Sequence, residues 1–156
     1  MKALTIHEPH ASLIIMRAKR LETRGHRTNV RGKVAIHAAK KPMDDEGTEL
    51  AKKYGITPQY GKVLGVVHLA SCGEVLNETT GEIKWNIHTH PSYNKTKSDH
   101  EIFKDIIKGI DWEIEKEVGD ISDGRFCWAM QVIEKFDTPI SAKGRQGWWN
   151  FGAEYE

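Results

Sequence analysis

Arg17-Ala18-Lys19-Arg20-Leu21-Glu22-Thr23-Arg24-Gly25-His26-Arg27 is followed by Arg31-Gly32-Lys33 and then by Lys40-Lys41. Residues 17–41 hold nine Lys/Arg and one acid, a local net of +8, in a chain whose formal net charge is only +1. Charge segregated in this way is the usual footprint of a polyanion site. The bland alternative is a solvated basic face balanced by the acidic stretch of Asp111, Glu113, Glu115, Glu117 and Asp120. Leu21 to Arg24 alternates as a strand does, which puts Glu22 and Arg24 on one face and Leu21 and Thr23 on the other. Lys19, at the end of a helix predicted over 10–18, can reach the Glu22 face. Arg offers a planar fork for a phosphate or a base edge, Glu accepts from an exocyclic amine, and Lys supplies a point charge or a base. A structural ion-pair triplet is the alternative reading of the same spacing.

Outward from this stretch, the chain of 156 residues is 38% hydrophobic and 29% charged. That suits one globular domain over 1–156 rather than a disordered chain. No apolar run approaches the ~18 residues of a membrane span, and Met1-Lys2-Ala3-Leu4-Thr5-Ile6 lacks a signal-peptide core. A cytoplasmic protein with no membrane partner is expected. Cys72 and Cys127 lie in apolar, strand-like settings and read as buried free thiols.

Strands are predicted at 3–6, 21–24, 33–38, 62–75 and 125–133. Helices are predicted at 10–18, at 43–54 with Gly55 ending it, and at 99–108 with Ser98 as its cap. Residues 77–96 read as loop or hairpin, with a possible strand at 85–88. Strands outnumber helices without a βαβ rhythm, so the expected class is α+β with a mostly antiparallel, barrel-like sheet.

Three ordered elements resemble the ASCH domain, named after activating signal cointegrator 1: His7-Glu8-Pro9-His10-Ala11-Ser12-Leu13-Ile14, then Lys19-x-x-Glu22-x-Arg24, then Arg31-Gly32-Lys33-Val34-Ala35-Ile36-His37-Ala38-Ala39-Lys40. Leu64-Gly65-Val66-Val67, Gly124-Arg125-Phe126-Cys127-Trp128 and Lys143-Gly144-x-Gln146-Gly147-x-Trp149 continue the order. The resemblance implies a PUA-like fold, a small β-barrel with flanking helices and a cleft lined by the Lys-Glu-Arg motif. It also implies binding of RNA or another nucleic acid. Some members are similar to amidohydrolases that deacetylate N4-acetylcytidine, and one related group is a ribonuclease. Three departures stand out. Arg17 replaces the usual Gly before the motif, and Glu8-Pro9-His10 replaces Gln-Pro-Trp. Glu22 stands where the small amidohydrolases carry a nucleophilic Thr. A carboxylate cannot take over a hydroxyl nucleophile's role without a change of mechanism.

The expected ligand is RNA, another single-stranded nucleic acid, or a nucleoside or nucleotide. Lys19, Glu22 and Arg24 would form the floor of its cleft, with Glu8, His10 and Ser12 on one wall. Arg27, Arg31 and Lys40 would lie on the phosphate side, and Lys143, Arg145, Gln146 and Trp149 on the rim. His37 reads as a core or cleft-wall histidine. If Trp148-Trp149 is extended, one ring points inward and the other outward. The alternative is a metal-independent hydrolase, an amidohydrolase or a ribonuclease, with Lys19, Glu22 and Arg24 catalytic. No cofactor and no metal are expected. His88, His90 and His100 read as an ordinary loop cluster rather than a zinc set.

Overall fold

The computed structural model describes residues 1–85 and 97–152, the side chains of 97–100 excepted. The predicted strand residues 86–88, the Ser98 cap and the histidines His88, His90 and His100 lie outside what is described. The elements are β1 (Lys2–Ile6), α1 (His10–Ile15), β2 (Leu21–Arg24), β3 (Gly32–Ala38), α2 (Asp45–Tyr54), β4 (Lys62–Asn77), β5 (Glu82–Trp85), α3 (Lys97–Gly109), α4 (Trp112–Val118), β6 (Phe126–Ser141) and β7 (Trp148–Asn150). In hydrogen-bond order the strands run β2-β6-β4-β3-β1-β7, with β5 beside β4. The β1–β3 pair is parallel, and the β1–β7, β2–β6 and β4–β5 pairs are antiparallel. The fold is α+β of the PUA-like kind, as the sequence predicts. Among the described residues no helix is long and apolar enough to cross a membrane.

Two compact units divide the chain. The first comprises Met1–Ala18, Lys33–Val67 and Val132–Glu156. In it β1 lies between β3 and β7, and Ala3, Ala35, Val63 and Phe151 form a core against which Phe136, Ile140 and Trp149 pack. Helix α2 starts where Asp44 accepts the Gly47 N–H at 2.7 Å and stops at Gly55, whose φ of 66° is left-handed. A side chain at 55 would be strained there, which is why glycine ends the helix.

The second unit comprises Lys19–Gly32 and His68–Gln131. Its core gathers Leu21, Ala70, Val75, Ile106, Cys127 and Ala129, with Ile102, Phe103 and Trp112 packed on them. Ile102, Phe103 and Ile106 form one stripe along α3. Both cysteines are buried and unbridged.

Three boundaries differ from the sequence reading. Helix α1 ends at Ile15, and Arg17 takes a φ of 67°, so Lys19 sits in the connection to β2 rather than on the helix. Strand β6 continues past the predicted end at 133 to Ser141, through Glu134, Lys135, Asp137 and Pro139. The β2 register ends at Ala129, so the later half of β6 lacks a β2 partner and tolerates a proline there. Helix α4 was not predicted. Asp111 caps it, accepting from the N–H groups of Glu113 and Ile114 at 3.1 and 3.3 Å.

Gly65 on β4 is a packing requirement. A Cβ at 65 would overlap the Glu134 carbonyl oxygen and lie 3.2 Å from Ile15 Cδ1. Backbone cannot step aside as a side-chain tip does. Gly65→Ala is expected to cost about 1–3 kcal/mol, or roughly 2–4 °C of melting temperature per kcal/mol. A thermal melt followed by circular dichroism checks this, and an unchanged midpoint contradicts the close β4–β6 approach.

Candidate nucleic-acid interface

Strand β2 pairs Glu22 with Trp128 and Arg24 with Phe126 on β6. Directly opposed residues of an antiparallel pair share a face, so these four side chains lie on one face, with Trp128 and Glu22 buried in it. Leu21 and Thr23 face the opposite way. Leu21 enters the second unit's core, and the Thr23 hydroxyl accepts the Asp120 N–H at 3.3 Å.

Lys19, Glu22 and Arg24 come together. Lys19 Nζ lies 3.9 Å from Glu22 Oε1, and Arg24 Nη2 lies 3.6 Å from Glu22 Oε2. Lys19 is 2% exposed and Glu22 5%. Burying two such charges costs several kcal/mol each unless they are paired and hydrogen-bonded. The ammonium is compensated: it donates to Val118 O at 3.5 Å, at the C-terminal end of α4, where the helix dipole favours a cation. The carboxylate is only half satisfied. Glu22 Oε1 accepts the Thr23 N–H at 3.0 Å, whereas Oε2 is buried without a hydrogen-bond partner among the described residues. The Arg24 side chain is 29% exposed and its guanidinium lies 5.6 Å from the centre of the Trp128 ring. The Trp128 indole donates to the His26 carbonyl at 3.2 Å.

The other basic residues of this unit extend the surface. Arg27 lies over Phe126 at 5.4 Å and is exposed. Arg31 bends back on its own loop, its Nη1 donating to the carbonyls of Thr28 and Val30 at 3.0 and 2.8 Å.

The remaining predicted residues belong to the first unit. Glu8 is buried and fully engaged, with Oε1 accepting the Ser12 N–H and Oε2 accepting the Ser12 hydroxyl and the Gln59 N–H. His10 is partly buried on the first turn of α1. Lys40 is exposed and runs over Gly61, where a Cβ would come within 3.0 Å of its Cε. Lys143, Arg145 and Gln146 are exposed on the loop before β7. Trp149 is the inward ring of its pair, packed on the first unit's core. It begins a chain of hydrogen bonds. Its indole donates to Thr5 Oγ1 at 3.0 Å, Thr5 Oγ1 lies 3.2 Å from His37 Nδ1, and His37 Nε2 lies 2.8 Å from the Ala142 carbonyl. A carbonyl only accepts, so Nε2 donates to Ala142. Gly144 is pressed against this chain, for a Cβ there would lie 2.5–2.7 Å from His37 and Thr5. The glycine in Lys143-Gly144-Arg145 thus has a packing reason.

Sequence reasoning missed Glu115. It is 1% exposed, and its Oε1 and Oε2 accept the N–H groups of Arg20 and Leu21 at 2.6 and 3.4 Å, which fixes where β2 begins. The available signal was the spacing Trp112, Glu115, Val118, one helical stripe. Burial pushes this carboxyl from 4.5 up to about 7, partly offset by the Arg20 N–H, the nearby Lys19 charge and the Leu21 N–H.

A raised carboxyl pKa favours the folded state most below pH 4.5, where the group is protonated in both states. Stability is then lost as pH rises to about 7, because the unfolded carboxyl ionises first. The loss is on the order of 3 kcal/mol. Denaturant titrations from pH 4 to 8 are expected to show this decline, and Glu115→Gln is expected to flatten it. An equal decline in the variant would assign the pH dependence to other groups.

A sequence model of the ASCH domain matches residues 4–114, from β1 into α4, including the Lys19-x-x-Glu22-x-Arg24 stretch; the loop 143–149 lies beyond the matched span. No curated protein matches the chain.

Proposed function

The chain belongs to the ASCH domain family, and from that premise we propose that it is an RNA-binding module that reads a single-stranded base with Glu22. The observation that carries this reading is the buried Glu22 Oε2, which lacks a hydrogen-bond partner among the described residues. Leaving a buried acceptor unsatisfied costs about 1–3 kcal/mol, and more for a charged one. An exocyclic amine of cytosine or adenine is a donor of the right kind. Arg24, the most exposed member of the cluster, moves aside on Trp128 to admit it and then holds a phosphate or stacks on the base. Lys19 stays below as the counter-charge 3.9 Å from Glu22 Oε1. Arg27 and Arg31 track the backbone.

The Thr23 hydroxyl lies on the face of β2 opposite Glu22 and accepts from Asp120, which supports binding over hydrolysis by a threonine nucleophile. Single-stranded bases expose the edges and faces that this surface addresses.

Labelled single-stranded RNA is expected to bind with log K falling against log salt at a slope of about −2 to −3, the value for three or four neutralised phosphates on a single strand. Glu22→Gln is expected to weaken binding at least about tenfold, the worth of a hydrogen bond to a charged group. Arg24→Ala is expected to weaken it and to reduce the salt slope by about 0.7. The recovered RNA is expected to be intact. Salt-independent binding, or a silent Glu22→Gln, overturns the reading. RNA cleavage abolished by Lys19→Ala replaces it with a ribonuclease.

A further inference from the structure

The surface of Glu22, Arg24, Trp128 and Phe126 does not end at Phe126. Beyond it lies a pocket of about 170 Å³ in the second unit, lined by Arg27, Thr28, Glu74, Lys84, Trp85 and Phe126, with Cys72 as a further lining residue. The geometry points to a second subsite, one that takes the nucleotide next to the base read by Glu22, so that the preferred ligand is an oligonucleotide of at least two residues. This inference rests on the reading of Glu22 given above.

Three observations support it. The pocket is of ring size: an apolar cavity of ~150 Å³ accommodates benzene, and a nucleobase is a planar ring system with polar edges. The walls suit such a ring. Phe126 is aromatic and Arg27 already lies on its ring at 5.4 Å, while Trp85, whose indole packs on the second unit's core, closes one side. Bases stack on aromatic rings and on guanidinium planes. The Trp85 ring is held in place before any ligand arrives. It pairs with Gly73 across β4–β5, where a Cβ would come within 2.7 Å of it, and it meets Phe103 edge to face at 5.0 Å. A glycine under an indole lets the ring lie on the strand.

The polar groups complete a nucleotide's requirements. Arg27 and Lys84 are exposed cations for a phosphate, and Thr28 and Glu74 present polar atoms to a base edge. The two subsites are adjacent by register. Glu22–Trp128 and Arg24–Phe126 are successive same-face pairs on β2 and β6, about 7 Å apart at 3.4 Å per residue. A free nucleoside fills only the first subsite, whereas a strand continues into the second.

Calorimetric titration with cytidine 5′-monophosphate and with the 5′-phosphorylated dinucleotide pCpC, alongside the adenosine counterparts, tests this. The dinucleotides are expected to bind about tenfold tighter or more, the worth of one stacked base. In Lys84→Glu that advantage is expected to shrink to about twofold or less while mononucleotide affinity is kept. Equal affinity of mono- and dinucleotide with an indifferent Lys84→Glu overturns the second subsite and leaves the Glu22 reading standing. Absence of binding by every probe, or full binding of all of them by Glu22→Gln, removes the Glu22 reading and this inference with it.

Discussion

A single buried carboxylate determines where the motif strand begins. Glu115 reaches from α4 to the amides of Arg20 and Leu21, the last backbone donors before Glu22. Without it those N–H groups would need other partners, and an unsatisfied buried amide costs as much as a lost hydrogen bond. The clamp also fixes strand parity. A slip of one residue would exchange the faces of β2, sending Glu22 and Arg24 into the space now filled by Leu21. The side on which Glu22 and Arg24 stand therefore depends on an acid that touches the strand only through its backbone.

The same helix supplies the second half of the electrostatics. Its C-terminal carbonyl at Val118 receives the Lys19 ammonium, and Glu115 adds negative charge from within. Lys19 is thus held by α4 on one side and by Glu22 on the other. The asymmetry is that Lys19 donates a hydrogen bond while Glu22 Oε2, among the described residues, has only the Arg24 charge at 3.6 Å.

Much of this was legible in the sequence. The two-residue alternation at 21–24 gave the faces of β2, and the Ile102, Phe103, Ile106 spacing gave the buried side of α3. What escaped did so for physical reasons. Helix α4 hides because its central buried position is a glutamate, which breaks the apolar stripe by which such helices are recognised. The outer half of β6 hides because it is polar and contains Pro139, residues that only a strand with a free edge tolerates. Which of Trp148 and Trp149 turns inward depends on the register of β7 against β1, where Trp149 faces Ala3, a long-range pairing that local pattern does not encode. The partners of His37 are equally remote, the Ala142 carbonyl lying 105 residues away in the chain.

The two thiols of the second unit have a consequence for how its motions can be followed. Cys127 is fully buried and its thiol is pushed up to about 12, while burial raises that of Cys72 as well. A thiol reacts through its thiolate, and burial holds both sulfurs back from an alkylating reagent in the closed protein. Reaction requires an opening that brings the sulfur into water, where its ordinary acidity returns. The rate of alkylation then reports the free energy of that opening, and the two sulfurs report from different strands, Cys72 on β4 and Cys127 on β6. The unit carries its own pair of clocks for local unfolding, set at positions where no label has to be introduced.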